Sequence, residues 1–376
     1  MRNETRLLLN AYVAQIALIN SVPDATVKFA VNPVVEQRLE AKMAESSEFL
    51  TAINVIPVID QTAQTLGLGT TRTIASRTDT SGAGERAATD PTGNSEINVY
   101  NCRQTNFDWA MRYALLDAWR HRPEFQTLMR DAILAQQARD RIMIGWNGTS
   151  VAATTDRVAN PMLQDVNEGW LFKIRSRAPA QVFNDGGLTV KTDGTNNVAL
   201  KKIYVKPGVE LFDPAAAFGA PGGSAVADAD YSSLDALVLD AKRNLPEWYR
   251  TRTDLVVIVG QDLVDDKYFT IAQQTGATAT EVEATDRIIR STKQLGGLQA
   301  VMVPFFPANG LLITTLSNLS IYVQEGTRRR QLADEPKKDR IANYESVNED
   351  YVVEDYDLVV LVENIVIGAA PARPAP

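Results

Sequence analysis

The chain predicts an α+β fold with a long spine helix, an extended polar arm, and an α/β unit followed by a strand-rich return segment. Three observations carry this expectation. Residues 123–147, PEFQTLMRDAILAQQARDRIMIGWN, place Phe125, Leu128, Met129, Ala132 and Ile133, then Ile142, Met143 and Trp146, at helical spacing. At 1.5 Å per residue that rod is roughly 37 Å long, about the width of a domain. Residues 60–101 are polar, rich in Thr, Gly, Ala and Arg, and hold almost nothing to bury. A structureless loop of that length is out of place inside a compact domain, so it reads as an arm that packs outside its own subunit. After Tyr231, helix-period and strand-period segments alternate, the pattern of an α/β layer.

In chain order, residues 4–20 form an amphipathic helix with Leu8, Tyr12, Ile16 and Ile19 on one side. Residues 21–31 hold Pro23 and read as a linker, so the first thirty residues attach to the fold without belonging to it. Asn32-Pro33 is a cap followed by a first-turn proline, opening a helix to about Ser46. Ser46 to Val58 leads into a short strand. The arm is punctuated by Gly67, Gly69, Gly82, Gly84, Pro91 and Gly93. Folded as a ribbon with ~20 residues per strand it would reach roughly 65 Å, and such a ribbon needs a surface to lie on. Phe107, Trp109, Met111 and Tyr113 alternate as in a half-buried strand.

Pro123 and Glu124 suit the first turn of the spine, and Asn147-Gly148 suits a left-handed cap. Residues 160–179 read as a helix packed near it. Residues 181–230 are hairpin-like and then Gly/Ala/Pro-rich, with Pro221-Gly222-Gly223 at the tip of an insertion. From Tyr231 come a helix, a buried strand at Leu255 to Gly260, helices to about Thr292, and strands at 300–304, 311–314 and 319–323. A last strand, Tyr351 to Ile367, is long enough to return to the sheet beside the spine. The first domain is then discontinuous, and residues 369–376 form a disordered tail.

Composition narrows the function. A chain of 376 residues with 45% hydrophobic content allows two or three domains. A net charge of −8 argues against a general nucleic-acid binder, which needs a basic footprint. One cysteine, Cys102, excludes an internal disulfide framework and reads as a buried small apolar residue; one histidine, His121, leaves little for a zinc site. No stretch approaches the ~20 apolar residues that span a bilayer. Glu4, Asn10 and Gln15 argue against a signal peptide at the start. Gly67-Leu68-Gly69 and Gly82-Ala83-Gly84 do not complete a phosphate-binding G-x-G-x-x-G, and no Gly-Lys pair exists for a Walker loop. The enzymatic alternative is an α/β nucleotide- or sugar-modifying enzyme built on residues 231–323.

Seven runs then carry a resemblance: MRNETR at the start, SSEFLT (46–51), IASRTDTSGAGER (74–86), NPMLQDV (160–166), YSSLDALV (231–238), DLVVIVG (254–260) and NYESVNEDYVVEDY (343–356). With them the chain resembles the major capsid protein precursors of Peduovirus-type tailed phages, with the HK-ninety-seven-like shell fold of tailed phages and herpesviruses. The resemblance implies a layout. Residues 1–30 contact a scaffold and are removed in procapsid maturation, with Phe29, Ala30 and Val31 as the processing region. Residues 31–59 are the N-terminal arm, and 60–102 the extended loop across a neighbouring subunit. Residues 103–180 and 335–368 are the peripheral domain with the spine, 231–334 the axial domain, and 181–230 an insertion longer than the family pattern.

What the resemblance implies for function is structural, not enzymatic. Copies assemble as hexamers and pentamers into an icosahedral head shell that encloses double-stranded DNA without sequence-specific contact. The partners are an internal scaffolding protein and protease and a portal protein, with no cofactor and no membrane. The location is the virion, after assembly in the host cytoplasm.

Arg72, Arg77, Asp79 and Arg86 on the arm, Arg328, Arg329 and Arg330, and Glu354 and Asp355 are the expected contacts between subunits. The triple arginine could touch DNA, but acidic residues of an adjacent subunit suit an anionic shell better. Glu349, Asp350, Glu354, Asp355 and Asp357 read as a solvated or interface face, with a structural cation between subunits as the alternative. Some shells of this fold are locked by an isopeptide bond that uses an arm lysine. No lysine lies between Lys42 and Lys173, and arginine keeps its proton, so this shell is expected to be non-covalent.

Overall fold

The computed structural model describes residues 1–65, 75–81, 85–88, 98–119, 125–185, 189–191, 197–199, 201–205, 230–231, 233–264 and 293–368. They fall into two compact units, each discontinuous in sequence: Met1–Ala138 with Leu319–Asp355, and Arg139–Asn318 with Tyr356–Pro376.

In the first unit, α1 (Asn3–Asn20) buries Thr5, Ile16 and Ala17. Leu8 and Ile19, expected on the buried side, are 48% and 50% exposed, so only part of the apolar stripe is covered. β1 (Phe29–Ala30) pairs with Arg329 and Arg330, and Ile16, Ala17, Ala25, Phe29 and Val31 form a small core with Leu332. The N-terminal segment is therefore part of this unit, which corrects the linker reading. Pro23 signalled a break in the chain, but nothing local reveals that a remote leucine needs covering. α2 (Pro33–Glu45) is capped by Asn32, whose side chain accepts from the Val34 N–H at 3.0 Å. α3 (Glu48–Ala52) and β2 (Asn54–Val58) follow.

The arm leaves through β3 (Thr62–Thr65) and returns through β4 (Asn98–Asn101), which pair antiparallel. Most of the expected ribbon beyond them lies outside the described residues. β5 (Arg103–Asn106) and β6 (Trp109–Arg112) come next, then α4 (Tyr113–Trp119) and the spine α5 (Phe125–Asn147). Pro123 and Glu124 are outside the described residues.

The second unit starts within α5. Here Ile142, Ile144 and Trp146 are buried, and so is Arg141. α6 (Trp170–Arg177) packs on it through glycine: a Cβ on Gly145 would stand 2.2 Å from the Trp170 ring. Trp146 meets Trp170 and Phe306 edge-on, with centroids 4.9 and 5.0 Å apart. Gly148 does not adopt the expected left-handed cap. It is glycine because a Cβ would lie 2.1 Å from the Asn167 carbonyl.

The helix expected over 160–179 is confined to α6. Asp165 accepts from the Asp156 N–H at 2.7 Å and Leu163 turns at φ 56°, so side-chain and turn bonds displace the helical ladder before Gly169. β7 (Val182–Phe183), the hairpin β8 (Thr189–Lys191) and β9 (Asn197–Ala199), and β10 (Ile203–Val205) follow. Pro221-Gly222-Gly223 lie outside the described residues. Ser233 caps α7 (Leu234–Lys242), and α8 (Glu247–Arg250) and β11 (Val256–Val259) succeed it. The helices expected between 265 and 292 are outside the described residues. β12 (Gln294–Leu295), β13 (Leu298–Met302) and β14 (Leu311–Thr314) complete this passage.

β15 (Leu319–Gln324), β16 (Arg329–Glu335) and β17 (Arg340–Val353) return to the first unit, whose sheet runs β1-β16-β17-β15-β2 with β5 and β6 also on β17. β18 (Val360–Val362) and β19 (Ile365–Ile367) return to the second, whose main sheet runs β12-β13-β11-β14-β18-β7. Val257, Val259, Leu311, Ile313, Val360 and Val362 fill its core against Leu237 and Val238 of α7.

Two boundaries differ from expectation. The unit expected over 231–334 ends at Asn318, because β15 and β16 pair with β17. The single strand expected over 351–367 is broken by a tight turn at Tyr356–Leu358 and by Asn364 at φ 59°, and its halves serve different sheets. A short apolar run does not say which sheet it joins.

Candidate functional site

Two constellations in the first unit hold the residues of interest: the root of the arm, and a buried arginine at the junction of β15 and β16.

The root is fastened at both strands. The Cys102 N–H donates to the Gln61 carbonyl at 2.8 Å, and the Gln61 side chain donates back to the Cys102 carbonyl at 3.3 Å. Asn98 donates to the Val353 carbonyl at 2.6 Å, and the Asn101 N–H donates to Asp350 at 2.9 Å. Beneath them Tyr100, Cys102, Tyr322 and Val352 form an apolar cluster, with the two tyrosine rings edge-to-face at 4.9 Å. Cys102 is fully buried there, as expected.

The acidic run is not a solvated face. Glu349 and Asp350 are 0% and 3% exposed; Asp350 takes the arm's Asn101 N–H, and Glu349 accepts from the Tyr351 hydroxyl at 3.1 Å. Glu354 accepts from the Tyr322 hydroxyl at 3.1 Å, and burial first, then that carboxylate, pushes the phenol well above its ordinary pKa. These acids anchor the root of the arm and the central strands. Among the described residues no group of three or more His, Cys, Asp and Glu is placed to hold a metal ion.

Arg328 is likewise engaged inside its own unit. Its side chain is 1% exposed, with Nη1 2.8 Å from Glu40 Oε1 on α2 and Nε 3.0 Å from Glu345 Oε1 on β17. Glu36, one turn before Glu40, is also buried and accepts from the Gly326 N–H at 3.3 Å. Burial pushes the Glu36 carboxyl above its ordinary pKa; the Gly326 N–H and Arg328 oppose the shift, while Glu40 and Glu325 add to it. Three carboxylates thus surround one guanidinium.

Of the expected contact residues, Arg328 is unavailable to a neighbour, which corrects its assignment: the β15–β16 junction turns it inward. Arg329 is exposed and lines, with Lys28 and Tyr344, a polar recess of about 420 Å³. Arg330 is half-buried and donates to Asn343 at 2.6 Å. Arg77, Asp79 and Arg86 are exposed on the arm. The Ser81 hydroxyl and N–H hold the Asp79 carboxyl below its usual range. Arg72 lies outside the described residues, and Asp355 is half-buried. Phe29 and Val31 are buried and Ala30 is exposed. Sequence reasoning missed Tyr100, Tyr322, Glu36, Glu40 and Glu345, since each acts through a partner remote in the chain. Glu349, Asp350 and Glu354 stood in an acidic run that drew notice.

Comparison with known proteins bears out the resemblance carried by the seven runs. Residues 8–365 match the family described as phage major capsid protein, P2 family. The chain is 45% identical over 378 residues to the capsid proteins of Escherichia phage P2, covering 99% of this chain and 98% of the relative. It is 38% identical over 373 residues to the major capsid protein of Serratia phage KSP20, with 97% of each covered. Among solved structures it is similar to a chain of the satellite phage P4 procapsid including size determination (Sid) protein. That match has a TM-score of 0.74 and 43% identity, over 98% of this chain and 99% of that one. The α+β shell fold follows, and the enzymatic alternative is set aside, because the family and these relatives are structural shell proteins. The chain belongs to the P2 family of phage major capsid proteins and is a subunit of the icosahedral head shell.

Proposed function

We propose that this subunit builds its shell by laying the arm, residues 60–102, across a neighbouring copy. The observation that supports this most is the contrast between the arm and its root. The root is fastened by hydrogen bonds and an apolar cluster, whereas the stretch beyond it has too little apolar surface to offset roughly 1–2 kcal/mol of ordering entropy per residue. Its order then comes from another subunit. The unit with the six-stranded sheet supplies contacts around the five- and six-fold axes of pentamers and hexamers, and the seven-stranded unit supplies the peripheral contacts.

The α1 segment contacts an internal scaffolding protein with protease activity, and maturation cuts the chain in the region of Phe29, Ala30 and Val31. α1 supports this with Leu7, Leu8, Leu18 and Ile19 left 48–79% exposed. A portal occupies one vertex, and the shell encloses double-stranded DNA without reading its sequence, as suits a chain of net charge −8. Assembly takes place in the host cytoplasm. Electron micrographs of the full chain and of a chain lacking residues 1–29, each expressed with scaffold, test this. Uniform closed shells are expected from the first and aberrant assemblies from the second. Uniform shells from both would remove the assembly role of α1.

A further inference from the structure

A groove of about 260 Å³ lies between α2 and the strands β2 and β15. Ala41, Ala44, Val55, Pro57 and Val323 give it apolar walls, and Glu36, Glu40 and Glu325 bring three carboxylates to it. Small-molecule pockets run about 300–1,000 Å³, so this one is sized for a single long side chain. Arg328 reaches Glu40 and Glu345, while Oε1 of Glu36, in a residue 4% exposed, accepts no hydrogen bond from the described residues.

We propose that this groove receives an arginine side chain from the arm of a second copy. The inference rests on the reading that the arm lies across a neighbour, and it adds where a cation of that arm is held. Apolar walls match the aliphatic stem of arginine, and the carboxylates match its guanidinium. The arm carries Arg72, Arg77 and Arg86 and no lysine, and Arg77 and Arg86 are exposed in the single chain. A buried carboxylate with one oxygen left unpaired works against the free subunit, whereas the same oxygen paired across the interface works for the shell. The groove thereby favours assembled copies over free ones.

Cysteine pairs test the placement, since Cys102 is the chain's only thiol and is fully buried. Shells are prepared from chains carrying Ala44→Cys together with Arg72→Cys, Arg77→Cys or Arg86→Cys, then oxidised and run in SDS without reductant. At least one pair is expected to give multimers that thiol dissolves, with no multimers from the single variants. Ala41→Trp is a second test, because Ala41 is exposed on α2 and a larger residue there fills the groove without removing a charge. The yield of closed shells should fall by about tenfold or more, as for loss of an interface anchor, with melting of the free subunit unchanged.

Absence of multimers from all three pairs, or wild-type shell yield from Ala41→Trp, overturns the inference. Trypsin separates that failure from failure of the arm reading. Protection of Arg77 and Arg86 on assembly with no cross-link leaves the arm on a neighbour but away from the groove. Equal cleavage in free subunits and shells removes the arm reading itself.

Discussion

Replacing Arg328 with alanine tests how the first unit is held together. The guanidinium is the cation shared by Glu40 at 2.8 Å and Glu345 at 3.0 Å, and all three side chains are at most 12% exposed. Truncation leaves two carboxylates, with buried Glu36 beside them, in a low dielectric without that cation. Removing one partner of a buried pair costs about 3–5 kcal/mol, a large share of the 5–15 kcal/mol that typically holds a domain. At about 2–4 °C per kcal/mol for a domain of 150–250 residues, melting should fall by roughly 6–20 °C.

The loss should depend on pH with a definite sign. Burial already holds the Glu36 carboxyl above its ordinary pKa against the opposing pull of Arg328; without that cation Glu36 holds its proton still more tightly folded than unfolded, so stability falls as pH rises. The deficit should therefore be larger near about pH 8 than near about pH 5. Urea unfolding of the free variant at both values, followed by circular dichroism, measures it. A loss under about 1 kcal/mol, the size of an exposed pair, or equal losses at the two pH values, refutes the buried-cluster reasoning.

Four further outcomes are expected. Gly145→Ala forces a Cβ to within 2.2 Å of the Trp170 ring and should cost about 1–3 kcal/mol or more, read as a lower melting temperature of the free subunit. Glu36→Gln should stabilise the free subunit at neutral pH. The buried Glu36 carboxyl has a pKa above its ordinary 4.5, so the wild type loses stability as pH rises through that raised value, and the gap should close in acid; a variant no more stable than wild type at neutral pH contradicts this. Arg77 and Arg86 should be cut by trypsin in free subunits and protected in shells, which mass spectrometry of the fragments reports. Mature shells boiled in SDS without reductant should give a single band, and a ladder that survives boiling and thiol would show covalent locking.

Much of the architecture was legible because the signals are local. The Asn32-Pro33 cap and the period of α5 each depend on residues within one or two turns. The arm was visible as a shortage of apolar residues, which is a property of composition. The candidate site was much less legible. Arg328 stood in an Arg-Arg-Arg turn that looked like a surface charge, yet the β15–β16 junction points the first of the three between α2 and β17. Glu349 and Asp350 looked solvated because acids usually are, but Asp350 meets a backbone N–H from the arm root.

By itself the sequence determined the family, the Asn32 cap, the period of the spine and the polar composition of the arm, since caps, periods and composition act over a few residues and motif runs are read directly. It also determined that neither an arm lysine nor a second thiol is present to lock the shell. Only the tertiary structure decided which strands share a sheet, and so that β15 and β16 leave the neighbouring α/β run to pair with β17. It likewise decided that the N-terminal segment covers Leu332 and that three carboxylates converge on Arg328. Burial and pairing between residues far apart in the chain depend on where the backbone returns, and no short stretch of sequence carries that information.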